Sequence, residues 1–289
     1  MKLTFYGATE EVTGSNYLLE SSPQTNLPNG GVLIGSKSTR ILIDCGLHQG
    51  SRFCEKQNFE PFPYDPKSID AVIATHAHMD HIGRIPKLYK DGFRGQVIST
   101  FPTVDFAEHL LLDSEHILAK EAAERNQPPI YALGDINEVL KLWRGIKYHQ
   151  KVRIGDFEIE LFDAGHVLGS SFVVVSSNDG KRVVFSGDLG NMPAPIVKDT
   201  EHIDRAEYAV IESTYGGHIH KTVKPRKEEL EDVIEETIKA KGVLMIPAFA
   251  MERTQELLYE MNLLVEQGRI PRVPVFIDSP LAIKLTAVY

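Results

Sequence analysis

Four side chains able to hold a metal ion fall within six residues of this chain, His76-Ala77-His78-Met79-Asp80-His81, directly after the apolar run Ala71-Val72-Ile73-Ala74. A short apolar, β-branched run that ends in a polar turn reads as a buried strand. Ile82, Ile85 and Leu88 then recur at helical spacing, which predicts a helix from Asp80 to Tyr89. A strand-to-helix turn can aim all four donors at one centre without a detour of the chain. Protonated imidazoles this close together would repel, whereas neutral rings and a carboxylate suit a divalent cation. Further polar groups are then needed at the end of that strand.

Three other segments offer them. Asp44 ends the run Ile41-Leu42-Ile43, His166 follows Phe157 to Phe162 in the turn Asp163-Ala164-Gly165-His166, and Asp188 follows Phe185 in Ser186-Gly187-Asp188. Asp beside Gly is ordinary turn chemistry. Jointly, at the ends of apolar runs, the three are candidates for the same centre.

Nine β-like runs lie before residue 212: Leu3 to Tyr6, Ser15 to Leu19, Arg40 to Ile43, Ala71 to Thr75, Gln96 to Ser99, Phe157 to Phe162, Phe172 to Val175, Arg182 to Phe185 and Tyr208 to Ile211. Helical patterns run from Val104 to Glu124 and from Asp135 to Trp143, with Asp135 as N-cap, and Gln24 to Ser38 reads as a hairpin excursion. From Gly217 the pattern changes to helix (Pro225 to Ala240), strand (Gly242 to Ile246), helix (Arg253 to Val265) and strand (Val273 to Ile277), the alternation of a parallel α/β unit. Two domains are expected, residues 1–215 and residues 216–289.

The formal net charge of −9 argues against a protein that grips nucleic acid through an overall positive field. Any polyanion it handles must be met locally, by metals or a few basic side chains. Cys45 and Cys54 cannot build a disulfide framework, and no CxxC knuckle is present. Cys45 reads as a small buried residue. No apolar run approaches membrane-spanning length and the N-terminus lacks a signal-peptide core, so a cytoplasmic protein without a membrane partner is expected.

His76, His78, Asp80 and His81 match the HxHxDH signature of the metallo-β-lactamase superfamily, and Asp44, His166 and Asp188 match its motifs before and after. Glu212-Ser213-Thr214-Tyr215-Gly216 is similar to the first motif of its β-CASP nucleases, and Gly242 to Leu258 is similar to the next stretch. The chain thus resembles the β-CASP family of RNA-processing nucleases, related to the cleavage and polyadenylation endonuclease, over essentially its whole length. The resemblance implies an αββα sandwich for residues 1–215 and the beginning of a β-CASP α/β insert in 216–289. It implies two zinc ions, one on His76, His78 and His166, a second on Asp80 and His81, with Asp188 bridging. It further implies a ribonuclease acting on single-stranded RNA through a metal-bridging hydroxide, with homodimerisation open for the full-length protein. Asp44 and Glu212 are its candidate catalytic residues: Asp44 as the carboxylate that fixes a ligand histidine, Glu212 in a similar supporting part or orienting a proton donor.

The family carries two further histidines in a return to the lactamase-like domain after the insert, and nothing beyond His220 is a histidine here. We therefore expect an N-terminal part of a longer enzyme, its second metal site one protein ligand short. Arg84 is a candidate phosphate contact. His109 and His116 read as a plain helix face, and His218, His220, Lys221, Lys224, Arg226 and Lys227 as a solvated turn. Two other functions use the same residues: a glyoxalase II-like hydrolase of small esters or thioesters, and a non-catalytic subunit of an RNA-processing complex. Small-molecule members of the superfamily lack the Gly217 to Tyr289 extension.

Overall fold

A computed structural model describes residues 1–22, 24–26, 32–34, 38–50, 55–124, 126–191, 194–218 and 226–289. The chain forms two compact units, Met1–Met192 with Lys198–Glu212, and Pro193–Val197 with Ser213–Tyr289. Among the described residues no helix is long and apolar enough to cross a membrane.

The first unit is a two-sheet sandwich. Its strands in chain order are β1 (Lys2–Phe5), β2 (Tyr17–Glu20), β3 (Gln24–Asn26), β4 (Val32–Ile34), β5 (Arg40–Ile43), β6 (Ala71–Ile73), β7 (Gln96–Thr100), β8 (Trp143–Ile146), β9 (Val152–Ile154), β10 (Phe157–Asp163), β11 (Ser171–Ser177), β12 (Arg182–Phe185) and β13 (Tyr208–Val210). A six-stranded sheet runs β1-β2-β5-β6-β7-β8, a five-stranded sheet runs β13-β12-β11-β10-β9, and β3 and β4 form an antiparallel pair by themselves. Side chains alternate across each strand. Ile41, Ile43, Ala71, Ile73 and Ile98 of the first sheet thus meet Phe157, Ile159, Leu161, Val173, Val175 and Phe185 of the second in one buried core. Leu42, Val72 and Val97, on the opposite face, are equally buried. Both faces of β5 and β6 are therefore covered, which is why they read as unbroken apolar runs. At roughly 1.5–3 kcal/mol per fully buried large aliphatic or aromatic side chain, this layer is the main support of the fold.

The helices of this unit are α1 (Met79–Ile82), α2 (Ile85–Lys90), α3 (Phe101–Glu124) and α4 (Leu133–Leu140). The helix expected from Asp80 to Tyr89 is two helices. Pro86 has no N–H to give to the Ile82 carbonyl, so the turn between them cannot be continuous α-helix. Asp135 is not the N-cap of α4: Ala132 holds that place, and the Asp135 carboxylate accepts from the Ala132 N–H at 2.9 Å. Trp143 belongs to β8, where its indole N–H donates to Ser99 Oγ at 2.9 Å, rather than to the preceding helix. The nine expected strands all form, with ends shifted by a few residues.

In the second unit α5 (Arg226–Lys239) and α6 (Arg253–Glu266) pack through Ile234 and Leu264, with Ile270 beside them, and α7 (Pro280–Thr286) follows. The strands expected over 242–246 and 273–277 do not form, because no ladder partner lies beside them among the described residues. An in–out pattern survives in the first: Leu244 packs on the α5–α6 core, whereas Val243 and Met245 are 92% and 86% exposed. Of the basic turn before α5, His218 is exposed; His220, Lys221 and Lys224 lie outside the described residues, as does Cys54.

Candidate metal centre

Strands β5 to β8 are parallel, and β10, β12 and β13 share one direction. The candidate residues leave their C-terminal ends: Asp44 after β5, His76 to His81 after β6, His166 after β10, Asp188 after β12 and Glu212 after β13. One contact between the sheets and one within the second bring these ends together. The Ser171 N–H donates to the Thr75 carbonyl at 2.8 Å, and the Gly190 N–H to the Ala164 carbonyl at 2.9 Å.

Each donor is held by its own local device. His78 is the N-cap of α1, so the chain turns into a helix in the middle of the motif and swings Asp80 and His81 round from His76 and His78. The backbone of residues 79–81 is tied to neighbouring loops by Ser15 N–H to Asp80 O (2.9 Å), Cys45 N–H to His81 O (2.7 Å) and Leu47 N–H to Met79 O (2.8 Å). This approach is close enough that a Cβ on Gly46 would fall 1.5 Å from Asp80 O. The His166 turn is organised by Ser170, whose Oγ accepts from the N–H groups of His166 (3.0 Å) and Val167 (3.2 Å). Gly169 O is bound by the hydroxyls of Thr100 (2.5 Å) and Thr103 (3.0 Å). Glu212 Oε1 accepts from the Leu189 N–H at 3.3 Å, and the Glu212 N–H donates to Ser186 Oγ at 2.9 Å, so this residue braces the Asp188 turn on both sides.

Among the described residues, one group of His, Cys, Asp and Glu converges closely enough to hold a metal ion, and it consists of His76, His78, His166 and Asp188, with donor atoms within 4.8 Å of one another. His78 Nδ1 lies 2.9 Å from His76 Nε2 and 3.2 Å from His166 Nε2. Asp188 Oδ2 lies 3.8 Å from His76 Nε2 and 3.7 Å from His166 Nε2. A tetrahedral zinc with bonds near 2.0–2.1 Å sets its donors about 3.3 Å apart, within the range these distances span. The other oxygen, Asp188 Oδ1, lies 3.2 Å from His81 Nε2, which is 3.9 Å from Asp80 Oδ2. Those three atoms outline a second position beside the first, with the Asp188 carboxylate between the two.

The electrostatics suit cations. Burial, with His81, His78 and His166 beside it, holds His76 well below the usual histidine range. Burial and His166 lower His78 to about 3, and burial lowers His166 although Asp188 opposes it. Neutral imidazoles with free lone pairs result. Burial would raise Asp188, but its hydrogen bond to His81 and the attraction of His81, His166 and His78 prevail and hold it at about 2, ionised throughout the working range. His81 is the exception: burial opposes its charge, yet Asp44 and Asp188 together hold it well above the usual range. Burial raises Asp80. Three neutral imidazoles and an ionised carboxylate suit a divalent ion at the first position.

Asp44 donates nothing to this cluster and stands behind it, 1% exposed, with φ of 59°. Its carboxylate accepts from the Thr75 N–H (2.8 Å), the Thr75 hydroxyl (2.9 Å) and His81 Nδ1 (2.7 Å), and Asn16 Nδ2 binds its carbonyl (2.9 Å). Arg84 does not face the centre. It is buried, donates from Nε to the Gly46 carbonyl at 2.6 Å and lies under the Phe62 ring, so it cannot meet a phosphate there. Cys45 is buried as expected, and burial pushes its thiol up to about 11. Lys227 is paired with Glu260 at 3.6 Å. The motifs did not single out Gly46, Thr75 or Ser170. For Thr75 the available signal was a hydroxyl residue at the junction of strand and motif.

Ser170→Ala removes the acceptor of two turn amides while leaving every donor atom in place. We expect zinc affinity to fall about 10- to 100-fold, the usual scale for groups that orient ligands, measured by competition with a chromogenic chelator. Unchanged affinity would show that the turn holds His166 without Ser170.

Residues 39–245 match the family model described as a beta-lactamase superfamily domain. The chain is 36% identical over 289 residues to a ribonuclease of Thermus thermophilus, covering 100% of this chain and 61% of that protein. It is 34% identical to the transcription termination factor FttA of Methanosarcina mazei, covering 96% of this chain and 42% of that one. It is 31% identical to the cleavage and polyadenylation specificity factor subunit 3-I of Arabidopsis thaliana, covering 89% of this chain and 37% of that one. The chain spans less than two thirds of the length of each.

Proposed function

Because this chain belongs to the metallo-β-lactamase superfamily, in its β-CASP branch, we propose that it is a zinc-dependent ribonuclease that hydrolyses phosphodiester bonds of single-stranded RNA in the cytoplasm. The observation that carries the reading is the convergence of His76 Nε2, His78 Nδ1, His166 Nε2 and Asp188 Oδ2 on one point. These four would hold one ion, and Asp80, His81 and Asp188 would hold a second more weakly. Bound divalent ions supply Lewis-acid polarisation of a phosphoryl oxygen and lower the pKa of a water towards neutrality. The chain's own contribution is placement. Asp188 stands between the two positions, Asp44 holds the His81 ring through Nδ1, and Glu212 braces the Asp188 turn. No Ser, Thr or Cys nucleophile is required, in keeping with the burial of Cys45.

The relatives named for ribonuclease and cleavage functions favour RNA over small thioesters as the substrate. The protein is assayed with zinc on 5′-labelled single-stranded RNA and, in parallel, on a glutathione thioester. Cleavage of the RNA that EDTA abolishes and zinc restores is expected. Hydrolysis of the thioester alone would replace this reading with the small-molecule hydrolase.

A further inference from the structure

The Thr75 hydroxyl lies between the buried Asp44 carboxylate and a histidine of the candidate metal cluster. Thr75 is 0% exposed. Its carbonyl is held by the N–H (2.8 Å) and hydroxyl (3.0 Å) of Ser171, and its own N–H by Asp44 Oδ1 (2.8 Å), so its backbone cannot drift. Its side chain is hemmed in by Gly187, where a Cβ would come 2.8 Å from Thr75 Cβ. From this fixed seat Oγ1 lies 2.9 Å from Asp44 Oδ2 and 3.0 Å from His76 Nδ1.

Hydrogen accounting gives these distances a direction. A carboxylate only accepts, and a hydroxyl has one proton and two lone pairs. Asp44 Oδ2 takes the Thr75 proton and, at 2.7 Å, the proton on His81 Nδ1. Thr75 Oγ1 is then left with lone pairs only; His81 Nδ1, 3.4 Å away, spends its proton on the nearer Asp44 Oδ2, and the close contact at 3.0 Å requires Oγ1 to accept from His76 Nδ1–H. The remaining nitrogen of that ring, Nε2, is thereby bare, and it is the atom that faces His78 Nδ1 and Asp188 Oδ2. His81 meets Asp44 directly through Nδ1, and its Nε2 donates to Asp188 Oδ1 at 3.2 Å in the metal-free chain, a proton that a cation at the second position would displace. Among the described residues, Thr75 Oγ1 is the hydrogen-bond partner of His76 Nδ1.

We infer that Thr75 is a positioning residue that passes the tautomer-setting action of Asp44 on to His76, so that one buried carboxylate presents a ligand nitrogen to each of two neighbouring cation positions. The inference rests on reading the cluster as a metal centre, and it makes a statement about the metal-free chain that can be checked separately. In ¹⁵N-edited NMR spectra of the wild-type protein without metal, His76 is expected as the Nδ1–H tautomer. Finding the Nε2–H tautomer there would overturn the inference without any variant being made.

Two variants test its consequence. Thr75→Val keeps the shape and removes the hydroxyl, and it is expected to lower zinc affinity about 10- to 100-fold by chelator competition and to mix the His76 tautomers. Thr75→Ser returns the hydroxyl without the methyl and is expected to restore affinity to within about threefold of wild type, which a purely space-filling role for Thr75 would not allow. Cobalt(II) spectra report the same ligand field without relying on activity. A Thr75→Val protein that binds zinc as tightly as wild type, or a Thr75→Ser protein no better than Thr75→Val, sinks the inference. Failure of the wild type itself to bind zinc or cobalt would instead sink the metal-centre reading, and the tautomer measurement would still decide the role of Thr75.

Discussion

Asp188→Asn should abolish RNA cleavage and weaken zinc binding by about three powers of ten or more, the largest functional effect we expect from any single isosteric change in this protein. Its two oxygens face different partners, Oδ2 towards His76 and His166 and Oδ1 towards His81. An amide keeps the shape but loses the charge, and its nitrogen turns an N–H₂ towards one of the two positions. The surrounding imidazoles of His76, His78 and His166 are held neutral, so Asp188 supplies the compensating charge at the first position. A unit charge pair 4 Å apart is worth about 4 kcal/mol at the effective dielectric of a partly solvated site, which corresponds to about a thousandfold in affinity. Isothermal titration with zinc and cleavage of labelled RNA read the two consequences. An Asp188→Asn protein that keeps wild-type affinity would mean that the carboxylate is not a ligand and that the three histidines suffice.

What the sequence disclosed follows the physics of burial and of local spacing. β5 and β6 were legible because Leu42 and Val72 are as deeply covered on the helical side as Ile41, Ile43, Ala71 and Ile73 are between the sheets. β8 was not, because Trp143-Arg144-Gly145-Ile146 offers two apolar side chains and a glycine. That glycine has a reason visible only in three dimensions: a Cβ on Gly145 would lie 2.5 Å from the Phe101 ring. The strands expected in residues 242–246 and 273–277 show the opposite failure. Their apolar, β-branched composition is real, but a strand also needs a neighbour, and the local sequence carries no information about one.

At the candidate site the donors themselves were legible because side-chain chemistry and motif spacing announce them. The structure brings His76, His78, Asp80, His81, His166 and Asp188 to one end of the sandwich, and it places Asp44 and Glu212 behind them. The residues that hold the donors in position were not legible. Ser170 acts on backbone amides within its own turn, which looks like any Gly-Ser loop. Arg84 shows that proximity in sequence misleads, since one helical turn past the motif is enough to carry a charged side chain under Phe62 and away from the donors.

Gly46→Ala is expected to cost more than about 4 kcal/mol, placing it in the rare class of substitutions that leave no room for accommodation. The atoms in the way are backbone: Asp80 O at 1.5 Å, Asp80 C at 2.0 Å and His81 N at 2.6 Å from the added carbon. A flexible side chain could rotate aside, but these atoms can move only by withdrawing the 76–81 turn from the 44–47 loop. Withdrawal breaks the Cys45 N–H to His81 O and Leu47 N–H to Met79 O bonds and displaces Asp80 and His81 together. At roughly 2–4 °C per kcal/mol for a unit of this size, the unfolding midpoint should fall by about 10 °C or more, read by circular dichroism, with zinc binding lost in parallel. Gly134→Ala is the matched control. Gly134 lies in α4 with nothing within 4 Å of its added carbon, so the change should raise the midpoint slightly, by about 0.5–1 kcal/mol of helix propensity. Equal and small shifts for the two alanines would mean that the turn can retreat from the loop at no cost and that the chain itself does not hold Asp80 and His81 rigid.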